Sequence, residues 1–170
     1  MRGYVQVYTG DGKGKTTAAL GLSVRAACAG LKVFIGQFLK GSETSELKIN
    51  EFFSNIEIVQ YGTPDFVFGK PRKDQIERAK KGLDDAQKRI SSGEYDIVVL
   101  DELCVAIHLG FFSREEIEAL LNSKPEHVEL VITGRYAPEW LMERADLVTE
   151  MREVKHYYKK GISARKGIEF

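Results

Sequence analysis

Short apolar runs alternate with longer amphipathic segments along the chain, a pattern that predicts strands alternating with helices. Two runs, 97–101 and 129–133, have unbroken apolar stretches at 97–100 and 130–132, as strands covered on both faces do. The predicted strands are residues 4–8, 32–38, 56–61, 97–101, 129–133 and 146–151. The predicted helices are residues 18–27, 73–92, 114–122 and 138–145.

Two of the helices carry clear end signals. Gly93 follows the second predicted helix and is expected to end it, because glycine adopts the left-handed backbone that closes a helix. Ser113 and Glu116 stand three residues apart at the start of the third helix, the spacing of a capping box. The apolar residues at helical spacing within 73–92 are Ile76, Ala79, Leu83, Ala86 and Ile90.

The alternation predicts an α/β fold with a mostly parallel sheet and helices on both faces. Ligands of such folds bind beyond the C-terminal ends of the strands. We therefore expect the polar residues at the predicted strand ends to converge on one rim. These are a glycine-rich loop at residues 9–17, Gln37, Asp101, Glu102 and the segment 133–135.

The glycine-rich loop lies between the first predicted strand and the first predicted helix, the setting of a nucleotide phosphate-binding loop. Backbone amides and a helix N-terminus favour phosphate oxygens there. Lys15 is placed to reach a phosphate oxygen, and the Thr16 hydroxyl to bind magnesium. The candidate ATP- or phosphate-binding residues of the loop are Gly10, Asp11, Gly12, Lys13, Gly14, Lys15, Thr16 and Thr17. A single P-loop NTPase-like domain over residues 1–170 is therefore predicted.

This loop departs from the usual G-x-x-x-x-G-K-[ST] spacing. Thr9 stands where a glycine is expected, so the loop counted from Gly10 is one residue short. The alternative is a glycine-rich hairpin followed by a helix cap. The run GKTT at the start of an alanine-rich helix favours the phosphate-binding loop.

Acidic residues end the apolar strand at 97–101, as they do in P-loop nucleotide sites. Asp101 is therefore predicted to hold magnesium directly or through water, and Glu102 beside it stands where an acid orients attacking water in many P-loop ATPases. The alternatives are that Asp101 only caps the next turn and that Glu102 is a solvated acid. Arg135 follows the strand at 129–133 and is a candidate phosphate contact. Its alternative is an ordinary surface ion pair.

The loop at 62–71 places Phe66 and Phe68 one residue apart between prolines and glycines. One interpretation is an apolar platform for a flat ligand. The alternative is that one of the aromatic side chains anchors the loop in the core.

Charge and hydropathy exclude several classes of function. The chain has 25 basic and 25 acidic residues and a formal charge of zero, so broad binding of nucleic acid is not expected. No apolar run approaches the roughly 20 residues that cross a bilayer. The sequence enters a predicted strand directly, so a signal peptide is not expected. We expect no nucleic-acid partner, no membrane partner and a cytoplasmic location.

Cysteine and histidine usage indicates neither a metal site nor a protein nucleophile. Cys28 and Cys104 show no metal-binding spacing and are predicted to be small core residues. The three histidines do not form an H-x-x-x-H pair, so a zinc site is not expected. No G-x-S-x-G motif or Ser-His-Asp order is present.

Together these features resemble the P-loop type of ATP:corrinoid adenosyltransferases, also called cob(I)alamin adenosyltransferases, over nearly the whole chain. Many ATPases share the nucleotide motifs, but the shortened loop, TGR and the C-terminal segments together are specific. In this family the loop begins at the position of Gly10, so a threonine at position 9 fits the family pattern. The matching segments are YTGDGKGKTTAALG (8–21), QFLKG (37–41), YDIVVLDE (95–102), ITGRYAP (132–138), ADLVTEM (145–151), KHYYKKGI (155–162) and GIEF (167–170).

The resemblance implies transfer of the 5′-deoxyadenosyl group of ATP to the Co(I) of a corrinoid, with release of triphosphate, in adenosylcobalamin biosynthesis or salvage. It implies catalytic roles for Lys15 and Glu102, and magnesium held by Thr16, Asp101 and Glu102. Co(I) is a strong nucleophile, which agrees with the missing protein nucleophile. We expect ATP to lie reversed relative to ordinary P-loop enzymes, with its γ-phosphate deep in the loop.

Further expectations come from the same resemblance. Phe66 and Phe68 match the family's aromatic side chains that favour four-coordinate cobalt, and they are candidate catalytic residues. The implied electron donor is a reduced flavoprotein or free flavin, and the implied assembly is a homodimer.

Two other functions remain open from the residues. An ordinary P-loop ATPase or kinase would use Glu102 to activate water or a substrate hydroxyl, and it would produce phosphate or ADP. A regulatory module would bind nucleotide without turnover.

Overall fold

The computed structural model describes residues 2–65 and 69–170. Their central element is a six-stranded sheet in which all strands run parallel. The strands are β1 Val5–Thr9, β2 Val33–Gln37, β3 Ile56–Gln60, β4 Ile97–Asp101, β5 Glu129–Thr133 and β6 Leu147–Glu150. Their order across the sheet is β3-β2-β4-β5-β1-β6. All six predicted strands are confirmed, each within one residue at either end, and so is the predicted α/β class.

Helices connect successive strands. They are α1 Lys15–Cys28, α2 Ile49–Phe52, α3 Lys73–Ser92, α4 Leu103–His108, α5 Arg114–Asn122 and α6 Glu139–Arg144, with short 3-10 turns at Ser45–Lys48 and Tyr157–Lys160. The four predicted helices are confirmed, although α1 begins three residues earlier than expected, directly after Gly14. The short helices α2 and α4 were not expected from the sequence.

The helix ends follow the predicted chemistry. The Ser113 side chain accepts a hydrogen bond from the Glu116 backbone, and the Glu116 side chain accepts one from the Ser113 backbone. Gly93 adopts a left-handed φ of 67° at the end of α3. Both signals therefore act where the sequence placed them.

Alternate residues of the central strands point into two separate cores. Val98 and Leu100 of β4 pack with the cluster that includes α3 and α5, while Val99 packs with the cluster that includes α1. Helices therefore cover both faces of the sheet, as predicted, and the carboxyl ends of its strands stay open at one rim.

The two thiols lie in different environments. Cys104 is fully buried in α4, as expected. The expectation for Cys28 was wrong, because it is the last residue of α1 and is exposed.

Within the ranges 2–65 and 69–170, none of the helices is both long enough and apolar enough to cross a membrane.

Candidate active site

The loop from Gly10 to Gly14 links β1 to α1 and lies against the end of β6. Gly10 and Gly14 have φ angles of 95° and 120°, a backbone region that favours glycine. The Gly12 N–H donates to the Met151 carbonyl at 2.6 Å, and a Cβ on Gly12 would lie 2.6 Å from the same oxygen. Glycine is therefore required at the points where the loop turns and touches the neighbouring backbone.

Lys15 is buried beneath the loop at the first turn of α1. Its ammonium donates to the carbonyls of Gly10 and Gly12, each at 2.7 Å. Burial lowers the pKa of Lys15, and repulsion from the Arg135 guanidinium lowers it further. Gly14 precedes the helix without a side chain to cap it, so no N-cap side chain occupies the N-terminal amides of α1.

Residues after β5 support the loop from its other side. The Thr9 hydroxyl accepts a hydrogen bond from the Ala137 N–H at 3.3 Å. The Arg135 guanidinium donates to the Asp11 carbonyl, also at 3.3 Å. Thr9, which departs from the usual loop spacing, therefore joins the loop to the segment that carries Arg135.

Asp101 lies at the centre of the rim, with only 1% of its surface exposed. Its Oδ1 accepts hydrogen bonds from the hydroxyls of Thr16 at 2.8 Å and Thr133 at 2.6 Å. Its Oδ2 accepts from Lys40 Nζ at 2.9 Å and from Gln37 Nε2 at 3.2 Å. One carboxylate thus joins the ends of β2, β4 and β5 to the start of α1.

Glu102 follows Asp101 in a left-handed conformation with φ of 60°, uncommon for a residue with a side chain. Its N–H donates to the Thr133 hydroxyl at 3.1 Å, which fixes the turn from β4 into α4. Burial raises the pKa of the Glu102 carboxyl, and the nearby Asp101 carboxylate raises it further.

Lys40 and Glu46 form a second polar layer around Asp101. Glu46 Oε1 accepts a hydrogen bond from Gln37 Nε2 at 3.0 Å and lies 3.5 Å from Lys40 Nζ. Burial works to lower the pKa of Lys40, but the attraction of Asp101 outweighs it and the pKa is raised. Burial likewise works to raise the pKa of Glu46, but the hydrogen bond from Gln37 and the charge of Lys40 hold it below its usual value.

A cavity of about 520 Å³ opens over this arrangement. Its wall contains the glycine loop and the first turn of α1, including the exposed Thr17. The residues of the wall are Gly12, Lys13, Gly14, Lys15, Thr16, Thr17, Leu20, Lys40, Ser45, Glu46, Glu102, Arg135, His156, Gly167, Ile168, Glu169 and Phe170.

The C-terminal residues close one side of the cavity. Lys13 Nζ lies 2.9 Å from Glu169 Oε1 and donates to the Tyr157 hydroxyl at 2.9 Å. The Ser45 hydroxyl donates to the Phe170 carbonyl at 2.9 Å. Lys13, predicted to bind phosphate, is therefore already paired with the tail.

The oxygen donors at the rim suit a magnesium ion shared with phosphates. Magnesium in nucleotide sites is held by one or two protein oxygens together with substrate phosphates, and the Thr16 hydroxyl and Asp101 carboxylate lie 2.8 Å apart. Glu102 lies on the same cavity wall. In the described part of the chain, no group of three or more His, Cys, Asp or Glu side chains is arranged to hold a metal alone.

The structure thus brings together the predicted glycine loop, Asp101, Glu102 and Arg135. Phe66 and Phe68 lie outside the described residues. Sequence reasoning did not single out Lys40, Glu46 or the tail residues as parts of the cavity. The QFLKG and GIEF segments, noted only as family markers, contain Lys40 and the residues Gly167 to Phe170.

Comparison with known proteins identifies the family of the chain. The model of a family described as ATP:corrinoid adenosyltransferase BtuR/CobO/CobP matches residues 1–170. A corrinoid adenosyltransferase of Pseudomonas aeruginosa is 34% identical, over 99% of this chain and 84% of its own length. The corrinoid adenosyltransferase of Escherichia coli K12 and the corrinoid adenosyltransferase CobA of Salmonella typhimurium are each 34% identical, over 99% of this chain and 86% of their own. The chain therefore belongs to the ATP:corrinoid adenosyltransferase family of transferases.

Proposed function

We propose that this protein transfers the 5′-deoxyadenosyl group of ATP to the Co(I) of a corrinoid and releases triphosphate, with residues 1–170 acting as one catalytic domain. The supporting observation is the cavity above α1, where the glycine loop and the cations of Lys13, Lys15, Lys40 and Arg135 share one wall. Such a wall suits a polyphosphate that leaves as one piece.

The reaction is a displacement at carbon. A lone pair of Co(I) forms the cobalt–carbon bond at C5′, and the bond between C5′ and the α-phosphate oxygen breaks. The electron pair of that bond leaves with triphosphate, and cobalt becomes Co(III). The protein supplies no nucleophile in this scheme, so its tasks are to align cobalt with carbon and to stabilise the departing anion.

The second task belongs to the glycine loop and its neighbours. In this proposal the N-terminal amides of α1, with Lys15 and Lys13, hold phosphate oxygens. Arg135, bonded to the loop at Asp11, adds a further positive charge at the rim. Thr16, Asp101 and Glu102 would hold magnesium, which when bound neutralises part of the triphosphate charge.

The proposal includes a reversed ATP, with its γ-phosphate deep in the glycine loop and its C5′ towards the open rim. A hydrolase exposes the terminal phosphate to water, whereas this transfer has to expose the sugar carbon. A nucleotide-bound structure with the γ-phosphate at the rim and C5′ buried would contradict this orientation.

We assign Phe66 and Phe68 to the corrinoid side of the site, from their match to the family's loop after the third strand. An apolar contact there favours Co(II) without a lower axial ligand, which accepts one electron more readily. A reduced flavoprotein or free flavin would supply that electron and form Co(I). Phe68→Ala should retain ATP binding and lose turnover from Co(II) under mild reductant, and unchanged turnover would remove the loop from the mechanism.

The proposal also includes a homodimer in the cytoplasm, where ATP and reduced flavins are available. β6 is an edge strand with all four residues exposed, including Leu147 at 45% and Val148 at 42%. Contact with a second copy would cover these apolar side chains. Light scattering of the purified protein should give twice the chain mass of 19.1 kDa, and a monomer at all concentrations would contradict the dimer.

The direct test is anaerobic incubation of the protein with magnesium-ATP and chemically reduced cobalamin. We expect a light-sensitive alkylcobalamin spectrum to form only when protein and ATP are both present. The same spectrum without protein, or none with it, would overturn the proposal.

A further inference from the structure

The ammonium group of Lys40 lies on the cavity wall, and the sequence analysis assigned it no role. Its Nζ lies 2.9 Å from Asp101 Oδ2 and 3.5 Å from Glu46 Oε1. The Asp101 side chain is 1% exposed, whereas that of Lys40 is 25% exposed and lines the cavity. An ammonium has three N–H donors, and only the bond to Asp101 is short, so donor capacity remains towards the cavity.

The backbone around Lys40 is held firmly. Leu39 has a positive φ of 60°, and the Gly62 N–H donates to the Lys40 carbonyl at 2.9 Å. A Cβ on Gly41 would lie 2.4 Å from the carbonyl carbon of Thr63, so the two backbones cross in close contact. From this crossing the Lys40 side chain reaches Asp101 at the rim.

Lys40 and Thr16 bind the two oxygens of the same carboxylate. Thr16 donates to Asp101 Oδ1 and Lys40 donates to Oδ2, so one buried group links the first turn of α1 to the end of β2. Lys15, by contrast, is bonded to two loop carbonyls and Lys13 to the tail. Lys40 therefore brings positive charge to the cavity from β2, separately from the loop and the tail.

We propose that Lys40 binds the triphosphate of ATP directly, using the donor capacity that Asp101 and Glu46 leave free. This inference rests on the proposed function. Asp101 is the positioning group that holds the ammonium at the rim, and a phosphate oxygen completes its hydrogen bonds in competition with the more distant Glu46. Loss of one charged hydrogen bond of this kind weakens binding about tenfold.

The test is calorimetric binding of inorganic triphosphate to the full chain, with magnesium and again with a chelator. Lys40→Met should weaken binding by about tenfold under both conditions, and Lys40→Arg should retain most of it. Lys48→Met is the matched control: Lys48 is exposed eight residues further along the chain, outside the cavity wall, and the variant loses the same charge. Its affinity should equal that of the unmodified protein.

A second variant keeps the test decisive if Lys40→Met folds poorly. Glu46→Gln removes the negative charge beside Lys40 and leaves only an uncharged amide oxygen to compete for its ammonium, so triphosphate should bind more tightly. Unchanged or weaker binding in Glu46→Gln would contradict a direct Lys40 contact.

The remaining outcomes separate this inference from the proposed function. Equal triphosphate affinity in Lys40→Met and the unmodified protein would overturn the Lys40 assignment alone. Weakening seen only with magnesium would also overturn it, because Lys40 would then act through the metal. An unmodified protein that neither binds triphosphate nor forms alkylcobalamin would overturn the proposed function and the Lys40 assignment together.

Discussion

At the scale of single residues, Asp101 connects the site. Its position at the end of an apolar strand was predictable from the sequence, because that run ends abruptly in acid. Its partners were not. Lys40 stands 61 residues away along the chain and reaches Asp101 only because β2 pairs with β4 in register.

We expect Asp101→Asn to lower both activity and stability. An amide cannot accept all four hydrogen bonds, so Lys40 is left beside an uncharged group, at a cost of about 1–3 kcal/mol in the free energy of unfolding. Adenosylation should fall by about 100-fold or more. Urea unfolding and the alkylcobalamin assay measure the two effects.

Asp84→Asn is the control for that substitution. Asp84 is exposed on α3, so its replacement should change the free energy of unfolding by no more than about 0.5 kcal/mol. Full activity in Asp101→Asn would contradict the role of Asp101 as the residue that connects the site.

The thiols give a second prediction at this scale. Burial raises the pKa of Cys104 to about 12, and the Glu102 charge adds to the effect, so this thiol stays protonated and unreactive near pH 8. Cys28 is exposed. A chromogenic disulfide reagent should titrate one thiol per native chain quickly and two after denaturation, and Cys28→Ser should abolish the fast phase. Two fast-reacting thiols in the native protein would contradict the buried position of Cys104.

At the scale of elements, periodicity predicted the long segments well and the short ones poorly. α3 carries apolar residues at helical spacing over 20 residues, which is a strong signal. α4 has six residues and begins after Glu102 in a left-handed conformation without a side-chain cap, so the sequence offers neither length nor a capping pattern. This helix follows β4 directly, and the burial of its residues in the core stabilises it.

Two glycines, one in α3 and one in α1, allow a matched test of helix packing. Gly82 of α3 lies against Tyr61, and a Cβ there would be 2.4 Å from the ring carbon Cγ. Gly82→Ala should therefore destabilise the protein, by about 1–3 kcal/mol. Gly21 of α1 has no atom within 4 Å of its Cβ position, so Gly21→Ala should stabilise it by about 0.5–1 kcal/mol.

Thermal and urea unfolding of the two alanine variants measure the difference. Equal stability changes in Gly82→Ala and Gly21→Ala would show that Tyr61 does not pack against α3 as described.

At the scale of the whole molecule, the strand order assembles the site. β1 lies between β5 and β6, so the glycine loop touches Arg135 on one side and Met151 on the other. The sequence predicted that these strand ends would share a rim, but local patterns contain no information about which strands are neighbours. The fold of the tail over the loop was unpredictable for the same reason.

Removal of the last four residues, Gly167 to Phe170, should affect the binding of ATP and the binding of inorganic triphosphate differently. Ile168 and Phe170 supply much of the apolar wall of the cavity, so affinity for ATP should fall, by about tenfold. Lys13 loses its pairing with Glu169, so affinity for inorganic triphosphate should stay equal or rise.

Calorimetry with both ligands makes this comparison, and the melting temperature reports whether the shortened chain keeps its fold. Glu169→Gln is the control that keeps the apolar wall, and it should bind ATP at least as tightly as the unmodified protein. Unchanged ATP affinity in the shortened chain would contradict a role for the tail.

Product analysis under anaerobic conditions shows which bond of ATP this protein breaks. Protein, magnesium-ATP and Co(I) cobalamin should yield one triphosphate for each adenosylated corrinoid, with no turnover of ATP when the corrinoid is omitted. Rapid formation of ADP and phosphate without any corrinoid would contradict the account.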